Sequence, residues 1–162
     1  MGKEIERKYL IKKDEWQSYK QYSSVTGTKY CQGYIPTGNT TTVRLRTIDK
    51  QGYITIKGET TGYTRSEFEY PIPLEDAEEM LSTLCLKPLI EKIRYKVNQN
   101  DFTWEIDEFL GDNAGLIIAE VELESEDQQI DLPHWIDKEV NDKKYFNSSL
   151  AKYPYSQWKD KS

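Results

Sequence analysis

Eight stretches of this chain alternate polar and apolar side chains with a period of two, and in most of them the polar positions are charged. Successive side chains of an extended strand point to opposite faces. Glu4, Glu6 and Lys8 therefore share one wall, with Ile5 and Tyr9 on the other. In 42–46 both arginines, Arg44 and Arg46, oppose Val43 and Leu45, and in 53–57 Thr55 and Lys57 oppose Ile54 and Ile56. Arg65, Glu67 and Glu69 are in phase over 65–72, Lys92, Arg94 and Lys96 over 90–97, Glu105 and Asp107 over 102–109, and Glu120 and Glu122 over 116–124. Gln32 and Tyr34 share a face of the stretch 29–35. Turn sequences such as Asp49-Lys50-Gln51-Gly52 join most of these segments as hairpins. Eight antiparallel strands suffice to close a barrel with room for one small ligand.

Which wall faces inward follows from the helices. Leu74, Ala77, Met80, Leu81 and Leu84 recur at three and four, so 74–86 is an amphipathic helix stopped by Pro88. Asp14 is placed to cap a first helix carrying Trp16, Tyr19 and Tyr22 on one side. Both helices need an apolar surface outside the sheet. The fold expected is α+β but mainly β: a closed eight-stranded antiparallel tunnel, helices packed outside, its lumen lined by charge. Pro71 and Pro73 are read as closing the fifth strand, and short helices are expected over 125–130 and 148–153. No repeat, low-complexity tract or linker divides residues 1–162, which read as a single domain.

Composition narrows the function. A net charge of -6 and a pI near 5.0 exclude the basic field that general nucleic-acid binding requires. No apolar run approaches the roughly 18 residues that span a bilayer, and no signal-peptide h-region follows the N-terminus. Met1-Gly2 lacks the Ser or Thr that myristoylation wants, since Glu6 stands there. A cytoplasmic protein without a membrane partner is expected. Cys31 and Cys85 have no metal-site spacing and read as free thiols, and the sole histidine, His134, sits in a turn-like Leu-Pro-His-Trp. No Ser-His-Asp triad, HExxH helix or Walker loop is present.

Charged residues facing into a lumen cannot form a dry core, because desolvating one unpaired ion costs several kcal/mol. Lys8, Arg44, Arg46, Lys57 and Arg94 suit phosphate oxygens, the arginines through their bidentate fork. Clustered carboxylates suit hard divalent cations. Phosphate and metal together account for both populations.

Laid out in this way, the chain resembles the CYTH family, or triphosphate tunnel metalloenzymes. The likeness rests on Glu4-x-Glu6-x-Lys8, then Arg44-x-Arg46, Lys57, Glu67-x-Glu69, Lys92-x-Arg94, Glu105-x-Asp107 and Glu120-x-Glu122 in succession. It covers most of residues 3–150, the tail departing where Asn141 stands for a usual Thr. The resemblance implies a single CYTH-like domain that acts on a small triphosphate with Mg²⁺ or Mn²⁺, two ions being expected. Under it, Glu4, Glu6, Glu120 and Glu122 hold metal, and Lys8, Arg44, Arg46, Lys57 and Arg94 clamp phosphates. Strand phase, independently of the resemblance, puts Lys92 and Tyr34 on the lumen wall as the candidate catalytic pair, the alternative being one more phosphate clamp and a lining aromatic; Glu67, Glu69, Glu105 and Asp107 are further acids of the tunnel. Inorganic triphosphate is the first substrate, followed by nucleoside triphosphates. A class IV adenylate cyclase, a thiamine triphosphatase, a non-catalytic phosphate or polyphosphate-binding module and a homodimer stay open.

Overall fold

The structure is a computed structural model describing residues 3–159, so the Met1-Gly2 dipeptide lies outside it. Its strands are β1 (Lys3–Ile11), β2 (Gly27–Ile35), β3 (Thr42–Ile48), β4 (Gln51–Lys57), β5 (Thr64–Ile72), β6 (Ile90–Gln99), β7 (Phe102–Phe109), β8 (Ile117–Glu122) and β9 (Ile136–Val140). Helices are α1 (Lys13–Ser23), α2 (Leu74–Thr83) and the single turn α3 (Asn147–Leu150). All pairings are antiparallel, in the order β5-β4-β3-β2-β6-β7-β8-β1, and β1 closes the barrel onto β5. The eight-stranded barrel expected from the alternation is the one observed.

The closing seam is shared. Only Lys3, Glu4 and Ile5 of β1 pair with β5, while Lys8 to Ile11 along the same strand pair with β9. Between the two, the backbone N–H of Glu6 donates to the carbonyl of Tyr63, 3.3 Å away, in the β4–β5 loop. The ninth strand was not expected, and the helix expected at 125–130 is absent. Ile136-Asp137-Lys138-Glu139-Val140 has apolar residues only at its ends; it is extended because the free edge of β1 supplies backbone partners.

Apolar faces point outward, as the helices require. Trp16 of α1 packs with Trp104 and Trp135 over the outer faces of β1, β7 and β8, and its indole N–H donates to Glu108, 2.8 Å away. Tyr22 does not join them and is 92% exposed. Six residues at 100° each rotate it some 120° away from Trp16. The N-cap of α1 is Lys12 rather than Asp14, which instead lies in the first turn, where its charge suits the helix dipole. Leu81 of α2 packs on Leu45 with Cys85 and Cys31, both free thiols. Close approach of this helix depends on Gly52: a Cβ there would lie 2.8 Å from that of Ala77. The helix ends at Thr83, short of 86, and the Lys87 ammonium bonds the terminal carbonyls of Leu81 and Ser82. Pro71 lies within β5 rather than ending it, on an edge that β1 leaves unpaired, where a missing N–H costs nothing. Part of the outer wall stays bare, with Phe68 and Tyr70 about half exposed.

At one end the inward positions change from charged to apolar: Leu10, Tyr34, Ile90, Phe109 and Ile118. Tyr145, Leu150, Ala151 and Trp158 of the C-terminal segment pack onto them as a stopper. The helix expected at 148–153 is reduced to the one turn of α3 within this stopper. Leu150 is fully buried, so Leu150→Ala is expected to destabilise the protein by about 2–5 kcal/mol. Urea unfolding at unchanged m-value checks this.

Candidate active site

A lumen of about 650 Å³ is lined by all the residues given a metal, phosphate, catalytic or acidic tunnel role from the sequence except Asp107, which lies buried behind Lys92 and Arg94. Each comes from the inward phase of its strand, so the barrel brings together positions far apart in sequence. Three neighbourhoods can be distinguished.

Near the seam, Lys57 on β4 reaches Glu4 at 2.7 Å and Glu67 at 3.5 Å. Glu122 stands at the more exposed rim, and burial, then Glu4, Glu67 and Glu105, push its carboxyl above the usual range. Along the β1–β8 pair, Lys8 bonds Glu120 at 3.2 Å and Glu6 at 3.5 Å. Burial, then the Glu120 charge, push Glu6 up to about 8. Burial opposes the charge of Glu120, yet Lys8 holds it well below the carboxylate range. For Lys8 itself, burial works against the ammonium but Glu120 and Glu6 raise it.

The third neighbourhood is basic. Arg44 and Arg46 each reach Glu69 at 3.2 Å, and the hydroxyl of Thr55 donates to the same carboxylate at 2.7 Å. Burial, then Arg44 and Arg94, lower Arg46 to about 10. Arg94 grips Asp107 with two nitrogens, at 2.7 and 2.9 Å, and meets Glu105 at 3.3 Å. Asp107, although buried, is held at about 2 by Arg94 and Lys92. Lys92 is 1% exposed and lies 2.8 Å from Asp107, but burial outweighs that attraction and, with Arg94, lowers it to about 7.

Each of these six bases is engaged by a carboxylate. Among the described residues, no three acidic, histidine or cysteine side chains converge as a metal-ready cluster, because Lys8 and Lys57 stand between the acids.

Several residues at the site carried no signal in the sequence. Asn147 of α3 accepts from Lys92 at 3.0 Å and from Gln32 at 3.2 Å, and Gln32 also donates to the Tyr34 hydroxyl at 3.1 Å. Phe146 lies under the Lys8 ammonium at 5.5 Å. Thr55 and Gln32 were in phase with the inward wall, but a hydroxyl or amide there has no distinctive spacing. Asn141, the departure in the tail, lines the same lumen. His134 is remote from it, packed edge-on against Tyr19.

The CYTH domain family matches residues 2–152. The chain belongs to the CYTH family. An inorganic triphosphatase of Acetivibrio thermocellus is 47% identical over 161 residues, 99% of this chain and 100% of that protein. Another, from Nitrosomonas europaea, is 33% identical over 153 residues, covering 91% and 96%. A crystal structure of an inorganic triphosphatase superposes with a TM-score of 0.62 at 29% identity, covering 91% of this chain and 93% of that one. A putative adenylate cyclase of Bacillus halodurans, with a TM-score of 0.64 at 16% identity over 78% of this chain and 84% of its own, shares the CYTH fold alone. The charged tunnel described above is therefore the lumen of a CYTH barrel.

Proposed function

We propose that this protein is a divalent-metal-dependent inorganic triphosphatase that splits triphosphate and water into pyrophosphate and phosphate. The observation that carries the reading is that inward bases and inward carboxylates pair off one against another around a wet lumen. A polyanion can displace Glu69 from Arg44 and Arg46, and a cation can displace Lys8 and Lys57 from their acids. The two kinds of ligand thus make room for each other.

The donor set fits a hard ion. Glu4, Glu6, Glu120 and Glu122 offer only carboxylate oxygens on two strands paired with each other, and Glu6 and Glu122 are raised partly by neighbouring acids, a repulsion that a cation relieves. These residues would hold Mg²⁺ or Mn²⁺, two ions being our expectation. When bound, such ions supply charge neutralisation and acidify water. Lys8, Arg44, Arg46, Lys57 and Arg94 hold and orient the phosphate chain. Water attacks the terminal phosphorus as the bridging P–O bond breaks, its protons leaving with the released phosphate, while Lys92 gives its proton to the departing oxygen and regains one from solvent. Tyr34, held by Gln32, tunes specificity beside it. The same reading places the enzyme in the cytoplasm; among the described residues no helix is long and apolar enough to cross a membrane.

Phosphate release from inorganic triphosphate with Mg²⁺ or Mn²⁺, and none in EDTA, is the expected result; turnover in EDTA would overturn the mechanism. Nucleoside triphosphates are the next substrates to test: a second cavity of about 210 Å³ lies beside Tyr34, with Ile35, Val43 and Phe146 on one part of its wall and polar residues such as Thr37, Asn39, Thr41, Glu59 and Lys143 on the rest. The same assay run on ATP, thiamine triphosphate and pyrophosphate ranks them. Cyclic AMP formed from ATP would identify a cyclase, and tight triphosphate binding without turnover would identify a sensor.

A further inference from the structure

Tyr30 does not line the lumen, yet three of its cations converge on the Tyr30 ring. The guanidinium carbons of Arg94 and Arg46 lie 5.0 and 5.1 Å from the ring centroid, and the Lys92 ammonium lies 5.9 Å from it. The ring is 5% exposed and sits on the inward face of β2, directly opposite Lys92 in the β2–β6 register, with β3 on its other side. Three like charges around one buried point repel one another, and the carboxylates that offset this, Glu69 and Asp107, face them from β5 and β7. An aromatic face attracts cations through its quadrupole, more strongly when desolvated.

We propose that Tyr30 is a positioning residue for phosphate binding: its ring holds Arg46, Arg94 and Lys92 in a fixed triangle when a phosphate chain draws Arg46 away from Glu69. The proposal rests on the reading of Arg46 and Arg94 as phosphate clamps. It requires the π-face and not the hydroxyl, so Tyr30→Phe is the reference protein. Replacing that phenylalanine with its mono-, di- and trifluorinated analogues drains the ring quadrupole while leaving shape and volume nearly constant. With inorganic triphosphate and Mg²⁺, KM is expected to climb stepwise along the series, by about tenfold at the trifluoro analogue. The melting temperature should not follow the same trend, because packing is preserved.

Arg46→Gln is measured alongside. If it raises KM while the fluorinated series stays flat, the clamp reading survives and the role given to Tyr30 is wrong. If Arg46→Gln leaves KM unchanged, the clamp reading falls and this proposal with it. Absence of triphosphate turnover by the unmodified protein would remove the proposed function and this inference together.

Discussion

Glu120→Gln is expected to lower triphosphate turnover by on the order of 10³-fold while the barrel stays folded. The substitution preserves volume and leaves an amide oxygen for the Lys8 ammonium, which keeps its contact with Glu6. What disappears is the charge of a buried carboxylate at the middle of the proposed metal-holding set. Calorimetry should show weaker Mg²⁺ binding in parallel, and the melting temperature should move little. Wild-type turnover with wild-type metal dependence would mean that the acids of β1 and β8 serve only as counter-ions to the lysines.

Lys92→Arg separates a proton donor from a phosphate clamp. A lysine brought to about 7 keeps its proton below that pH and loses it as pH rises through the value, so a proton donor fails on the alkaline side. The limb should show near 7 in kcat/KM, which reports the free enzyme. It should lie higher in kcat, because bound triphosphate adds negative charge beside the ammonium. Arginine keeps the positive charge but does not deprotonate in this range. The expected result is a fall in kcat of about 10² or more, with the alkaline limb gone from both profiles. A variant that keeps both the rate and the limb would leave Lys92 as one more clamp.

The inward wall was legible because strand phase is a matter of parity. Once Glu4, Arg44 or Glu120 is assigned to a face, every second residue follows, and the need of α2 for an apolar surface decides which face is inside. The parts that were not legible lack any period. The stopper is built from Tyr145, Leu150, Ala151 and Trp158, which touch the barrel from an irregular path. Asn147 reaches Lys92 only because that path crosses the lumen. Tyr30 reads in sequence as one more strand aromatic, and its role depends on cations contributed by β3 and β6. The strand β9 owes its conformation to an edge supplied by β1, more than a hundred residues away in the chain.

That last relation bears on how the protein is made. Lys8 and Glu120 are register neighbours, so β1 waits for over a hundred residues to be synthesised before β8 can pair with it. At ribosomal rates this is a delay of roughly 5 to 20 s. An unpaired strand exposed for that time is a template for aggregation unless charge interrupts it. Glu4, Glu6 and Lys8 supply that charge on the nascent strand, and they become buried tunnel groups only when the ring closes. Glu4, Glu6 and Lys8 thus put charge on the open strand before ring closure makes them neighbours of β5 and β8.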